Sequence, residues 1–433
     1  MSGQFSEFLL RTFEDRGFPE LFQVTRKLHR EIQVKYQDGM GLGMTMTLLF
    51  LLISLHTAHS ELVFVTGLWM HGDVAPGAVP YPKDENGESS WPRGFGALTN
   101  KGIKRMYDLG QWLKERYIDD MKFLSPNNAR YEVLIQSSNV PYTVESAQAV
   151  AAGLFPAEGS RVWMDGGLGG WQPFYIQVNN DSARDLVLRP AMYGCPPVDS
   201  DVENERFEMR KKFDADHPDL LAKLGPITGL APVNFLVITR LYGIQTEIDH
   251  GLPQPDWVTE IYKGKEIIDW IREVKTQART AYFNSKRKAR MRAGVLLDTL
   301  MKYLLNAAYQ RGLPKAVFSS THDGTIFPLM YAMGISDGQL VQPGSVLLME
   351  LHEEEENYLV KLWWRNSTDE LHQLALPSCE LDCPLENFED LLQPMRLEFI
   401  DVQEVCENAA SNSPYVDTVA SFLLMAIAIH IAQ

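Results

Sequence analysis

The sequence contains no Cys-x-x-Cys pair and no His-Glu-x-x-His helix. A metal site therefore has no spacing support, and neither a metal nor a cofactor is expected. There is no long basic run. Lys and Arg number 40 against 56 Asp and Glu, for a formal net charge of -16. An acidic chain of this kind argues against nucleic acid as a partner. No apolar run is long enough for a comfortable transmembrane helix. No internal repeat is evident. Gly166, Gly167, Gly169 and Gly170 lack the full spacing of a nucleotide fingerprint and read as a loop. Cysteine is scarce too: Cys195, Cys379, Cys383 and Cys406 in 433 residues. An even count suits two disulfides in an oxidising compartment or four free thiols in a reducing one.

The ends of the chain favour the oxidising compartment. Residues 48–55 read LLFLLISL, with Arg26, Lys27, Arg30 and Lys35 upstream and Ala58 and Ser60 downstream. That pattern predicts a secretory signal cleaved after Ser60, so that residues 1–60 precede the folded domain. A start at Met40 or Met44 accounts for the residues before it; an uncleaved anchor is the other reading. At the other end, residues 407–433 combine the small residues Asn408, Ala409 and Ala410, a polar spacer and the apolar TVASFLLMAIAIHIA. A glycolipid anchor and a short membrane-spanning helix both fit. The expected location is the secretory pathway: secreted, lysosomal, or held at the cell-surface membrane by the C-terminal tail. Sequons at Asn180 and Asn366 fit lumenal exposure.

What remains is a globular body with 45% hydrophobic and 22% charged residues. Glu61 to Leu68 reads as a strand, running into a Gly- and Pro-containing turn. Residues 100–118 repeat apolar positions at helical spacing, with Thr99 or Asn100 as the cap. Residues 131–136 and 315–320 predict further strands, each followed by a helix. Residues 346–352 and 358–364 predict a hairpin with a solvated acidic turn. Recurrent strand, turn and helix place the fold in the α/β class. Residues 171–289, with their Pro, Gly and charged helical stretches, read as an inserted, mainly helical cap between core segments 61–170 and 290–406.

Three strand ends carry chemistry: Met70-His71-Gly72-Asp73-Val74-Ala75-Pro76, Ser137-Ser138-Asn139, and Thr321-His322-Asp323. In α/β sheets, ligands bind at the carboxyl ends of strands. Two histidines and an aspartate there suit phosphoryl transfer, with an imidazole attacking phosphorus and a carboxylic acid protonating the leaving oxygen. Asp73 fits turn chemistry better than catalysis. His217, His250 and His372 lack partners by spacing.

These segments resemble the histidine acid phosphatase family of the prostatic and lysosomal type. Its Arg-His-Gly-x-Arg-x-Pro motif is matched at His71, Gly72 and Pro76 and its late His-Asp pair at His322-Asp323. Supporting segments such as WPRGFGALTNKG, GLFP and Trp363-Trp364-Arg365-Asn366 extend the resemblance over residues 61–406. It implies a phosphoglycerate-mutase-like sheet with helices on both faces and the helical cap. It also implies disulfides Cys195–Cys406 and Cys379–Cys383, and a homodimer. By the same resemblance His71 is the nucleophile, His322 binds phosphate, and Asp323 protonates the leaving alcohol.

The three arginines that clamp the phosphate in this family are replaced here by Met70, Val74 and Tyr142. Met and Val donate no hydrogen bond, and Tyr offers one neutral donor. Three lost charge-assisted bonds total about 5–9 kcal/mol if additive. That is on the order of 10³–10⁶ in rate. Lys83 and Arg93 are the candidate substitutes. The expected activity is therefore weak or absent phosphate-monoester hydrolysis. The alternative is a non-catalytic protein that binds a small ligand on the same scaffold.

Overall fold

The strand that begins at Glu61 is apolar on both of its sides, and both sides are covered. In the computed structural model, residues 60–126, 131–166, 170–178, 184–310, 312, 314–355 and 357–411 are described. Its strands are β1 (Glu61–Met70), β2 (Val133–Ser137), β3 (Ile176–Val178), β4 (Ile261–Tyr262), β5 (Lys265–Glu266), β6 (Ala316–Thr321), β7 (Val346–Glu354), β8 (Asn357–Arg365), β9 (Leu371–Leu374) and β10 (Asp382–Pro384). The helices are α1 (Asn100–Lys114), α2 (Pro141–Leu154), α3 (Pro196–Asp216), α4 (Pro218–Thr228), α5 (Phe235–Ile238), α6 (Gly243–Asp249), α7 (Ile267–Thr280), α8 (Lys286–Gln310), α9 (Asp323–Met333), α10 (Leu385–Leu392) and α11 (Phe399–Ser411).

The main sheet runs β10-β8-β7-β1-β6-β2-β3, with β9 on β8. Pairings β1/β6, β6/β2 and β2/β3 are parallel, whereas β1/β7 and β7/β8 are antiparallel. Side chains alternate across a strand. Accordingly, Phe64 and Leu68 of β1 join Val317, Leu347 and Met349 in one core, against α8 and α9. Val65 and Trp69 join Phe318, Val346 and Leu348 in another, against α1 and α2. This is a mixed α/β sheet with helices on both faces.

α1 begins where Thr99 caps it, accepting a hydrogen bond from Gly102 N–H. It widens into a π-helical turn over Glu115–Asp120. There Arg116 and the fully buried Tyr117 both reach the carboxylate of Glu350 on β7. The expected hairpin is β7–β8.

Helices α3 to α7, with the two-stranded β4–β5 sheet, gather around a core of their own that includes Phe213, Leu224, Phe235, Ile244 and Ile271. The residues expected to open the cap include 176–178, but these form β3 and pair with β2 in the main sheet. Three residues flanked by Pro- and Gly-rich sequence carry too little alternation to be read as a strand. Cys195, capping α3, is bonded to Cys406 of α11, and Cys379 to Cys383 of β10. Among the described residues no helix is long and apolar enough to cross a membrane. The signal at 48–55, Asn180 and the apolar tail at 418–432 lie outside the described residues.

Candidate active site

Register brings the two histidines together. Met70 of β1 lies opposite Thr321 of parallel β6, so the next residues, His71 and His322, leave the sheet at one edge. Ser137 of β2 lies opposite Ser320, which puts Ser138 there too. The rings of His71 and His322 are 5.5 Å apart, edge to face. Tyr142, in the first turn of α2, lies 4.5 Å from His71 and 5.9 Å from His322. His71 N–H donates to Thr321 O at 3.0 Å. Gly72 N–H donates to Ser146 Oγ at 3.0 Å, and that hydroxyl donates to Tyr142 O at 2.6 Å. A Cβ on Gly72 would stand 2.6 Å from Gly102 O, so glycine is what lets this turn lie against α1.

His71 Nδ1 is 2.8 Å from Gly72 O. A carbonyl only accepts, so Nδ1 carries the proton and Nε2 keeps its lone pair. Burial lowers the pKa of His71, and the Gly72 bond and the charges of Asp323 and Asp73 offset this in part. His322 is pushed down to about 3 by burial, with His71 and the positive charge of Arg189 adding to the effect. Its Nε2 lies 2.8 Å from Ser138 Oγ. His322 is therefore neutral in mildly acidic to neutral solution.

Asp323 opens α9. Burial raises its pKa, but the charge and hydrogen bonds of Arg279, the N–H of Gly324 and the charge on His71 outweigh that and hold it at about 2. Arg279, at the end of α7, grips both carboxylate oxygens, Nε to Oδ2 at 2.7 Å and Nη2 to Oδ1 at 2.9 Å.

None of the three replaced arginine positions offers a cation. Met70 packs against the core under α8 and α9. Val74 forms an isolated bridge with Leu98. Lys83 and Arg93 are engaged elsewhere: Lys83 donates to Pro226 O at 2.7 Å, and Arg93 pairs with Glu145 at 3.7 Å. Asp73 accepts from Arg105 at 2.7 Å, and its carbonyl accepts from Thr99, as befits a turn residue.

The cations that do reach the site come from other segments, and sequence reasoning missed them. Besides Arg279 there is Arg189, just before α3. Its Nε is buried without a hydrogen-bond partner, and its charge acts on His322 and on Tyr142. Lys275, one turn before Arg279, is lowered in pKa by burial and by Arg279 and raised by Asp323. Nothing in the spacing of these residues ties them to His71.

Of the remaining residues, Asn366 is partly exposed, and its amide is tied to Glu370 by a 2.8 Å bond. His217 stacks on Phe213, and His250 bonds Thr246 O and Thr99. Among the described residues no cluster of three or more His, Cys, Asp or Glu is placed to hold a metal.

Known proteins resemble this chain in sequence and in fold. The family model "Histidine phosphatase superfamily (branch 2)" matches residues 58–365. Human prostatic acid phosphatase is 32% identical over 353 residues, covering 80% of this chain and 89% of that protein. Bovine lysosomal acid phosphatase is 31% identical over 350 residues, covering 80% of each. Among solved structures, the apo form of Hafnia alvei phytase superposes with a TM-score of 0.58 over 78% of this chain and 98% of that one. At 16% identity it speaks for the fold.

Proposed function

The chain belongs to the histidine acid phosphatase family, branch 2 of the histidine phosphatase superfamily, and on that footing we propose that it acts on phosphate monoesters through a phosphohistidine at His71, with turnover reduced by the loss of all three family arginines. The observation that carries this reading is the pairing of His71, its Nδ1 bonded to Gly72 O, with His322 at adjoining strand ends.

In the first step His71 Nε2 attacks phosphorus and the ester P–O bond breaks. The leaving oxygen departs with the ester's electron pair. His322, neutral and bonded to Ser138, faces the same space and contacts a phosphate oxygen. Arg189 supplies the positive charge that Met70, Val74 and Tyr142 do not, and the Tyr142 hydroxyl adds one neutral donor. In the second step water attacks the phosphohistidine, the P–Nε2 bond breaks, the water's proton passes to bulk solvent, and phosphate and free His71 are regenerated.

The signal at 48–55, glycans at Asn180 and Asn366, a membrane-anchored tail and a homodimer belong to the same proposal. The non-catalytic alternative draws support from the Arg279–Asp323 pair, which engages the expected proton donor. Phosphate release from p-nitrophenyl phosphate by the purified protein separates the two readings. Release that His71→Ala abolishes supports the enzyme. Release no greater than the His71→Ala background, together with ligand binding, supports the binding protein.

A further inference from the structure

Asp323 directly follows His322, its charge acts on both histidines, and Arg279 holds both of its oxygens. Gly324 N–H takes Oδ1 as well, at 2.7 Å. Three donors converge on the carboxylate, and each of them favours the ionised form. The contact is tightly packed: a Cβ on Gly324 would stand 2.7 Å from Arg279 Nη2 and 2.8 Å from Ala191 Cβ. Arg279 is itself positioned by its helix, with its guanidinium against the rings of Tyr282 and Phe283 at 5.6 and 5.2 Å.

A carboxylate bound in this way has no proton to give. The P–O bond must then break with the leaving oxygen departing as an anion, to be protonated afterwards by water. We propose that Arg279 restricts this site to phosphate esters whose leaving group is a stable anion, such as aryl and acyl phosphates, and excludes alkyl phosphates. The inference rests on the reading of His71 as nucleophile. Arg279 is a positioning residue, acting through Asp323.

The balance of the step is complete without a further reactant. The P–Nε2 bond forms, the P–O bond breaks, and the electron pair leaves on the phenolate or carboxylate. A phenolate accepts that pair readily. An alkoxide does not, and the assistance it lacks is worth about 10²–10⁴-fold.

The test compares kcat/KM, which reports the first step, for p-nitrophenyl phosphate and glycerol phosphate. In the wild type the aryl ester should be favoured by on the order of 10²–10⁴-fold. Arg279→Met should let Asp323 protonate in acid. The gap should then narrow at least tenfold, and glycerol phosphate turnover should fall as pH rises, a limb absent from the wild type. Arg279→Lys, which keeps the charge but not the two-point grip, should lie between. If Arg279→Met does not fold, the wild-type gap and the Lys variant decide. Equal efficiency on both esters in the wild type, or an unchanged gap in the variants, overturns the leaving-group restriction and leaves the proposed function standing. Absence of turnover on p-nitrophenyl phosphate overturns both.

Discussion

Glu247 of α6 is fully buried, and Asp84 lies beside it in the segment that follows the His71 turn. Glu247 Oε2 accepts from Asn86 Nδ2 at 2.9 Å and from Gln254 Nε2 at 2.8 Å. Glu247 Oε1 and Asp84 Oδ2 are both buried without a partner. Two acceptor oxygens in that position are satisfied by one shared proton. Burial is the largest cause raising the Glu247 pKa from 4.5 to about 7, and Asp84 adds to it. A folded-state pKa raised in this way gives stability that is fully present below the unfolded value of 4.5. That stability is lost as pH rises through about 7.

At 1.36 kcal/mol per unit the loss is about 1–3 kcal/mol, the upper end holding if the ionised pair stays dry. Glu247→Gln removes the titration and keeps the bonding. An amide can turn its NH₂ to Asp84 and its oxygen to Asn86 and Gln254. Urea unfolding with disulfides intact, followed by tryptophan fluorescence at pH 5 and pH 8, measures the effect. His71 and His322 titrate with the opposite sign, because their lowered pKa values make stability rise as pH rises toward 6.5. The difference between wild type and variant cancels them. Stability of the variant relative to wild type should improve by about 1–3 kcal/mol between pH 5 and pH 8. A difference that is the same at both pH values would refute the shared proton.

Arg189→Met should weaken inorganic phosphate binding by about 10–100-fold, the worth of one charge-assisted bond; calorimetry that shows no change removes Arg189 from the anion site. Glu350 accepts from Arg116, Tyr117, Trp363 and His352 in a buried cluster. Glu350→Ala should therefore cost about 3–5 kcal/mol in chemical denaturation by leaving Arg116 uncompensated. A cost under about 1 kcal/mol would mean that the cluster is solvated. Cys195→Ala together with Cys406→Ala opens a loop of 211 residues and should destabilise by about 2–5 kcal/mol. An unfolding midpoint equal to that of the oxidised wild type would refute this.

The apolar β1 strand, its turn and the two histidines were legible in the sequence because each is local. Phe64, Val65, Leu68 and Trp69 announce a strand covered on both faces, and a strand end followed by His-Gly places the imidazole at the sheet edge. The cations were not legible for the converse reason. Lys83 and Arg93 were the candidates closest in sequence to the motif, yet the fold sends them to Pro226 and Glu145. Arg279 meets Asp323 across 44 residues. It sits in an amphipathic helix whose pattern fixes which face is buried but not which long side chain reaches past the helix end. The Glu350 cluster was hidden in the same way, since an acid on a hairpin strand reads as solvent-facing until Arg116 and Tyr117 arrive from another layer.

The three positions that carry arginine in the family pattern, Met70, Val74 and Tyr142 here, lie at the end of β1, in the turn after it and in the first turn of α2, all beside the sheet. Here Arg189 and Arg279 stand on segments outside the sheet, so the anion site depends on those segments staying docked. The Asp84–Glu247 pair is one of the clasps, together with Asn86 on Pro253, Lys83 on Pro226 and Lys101 on Asp249. Ionising Glu247 adds repulsion against Asp84 across this contact. Phosphate affinity should therefore fall between pH 6 and pH 8 by more in the wild type than in Glu247→Gln. The ionisation of phosphate itself is common to both proteins and cancels. A clasp worth about 1–3 kcal/mol gives a ratio of up to about 100-fold if undocking and binding are fully coupled. Calorimetric titrations at the two pH values measure that ratio. Equal losses in both proteins would show that the cations hold their places without the clasp. They would leave the stability effect of Glu247 intact and make the two regions independent.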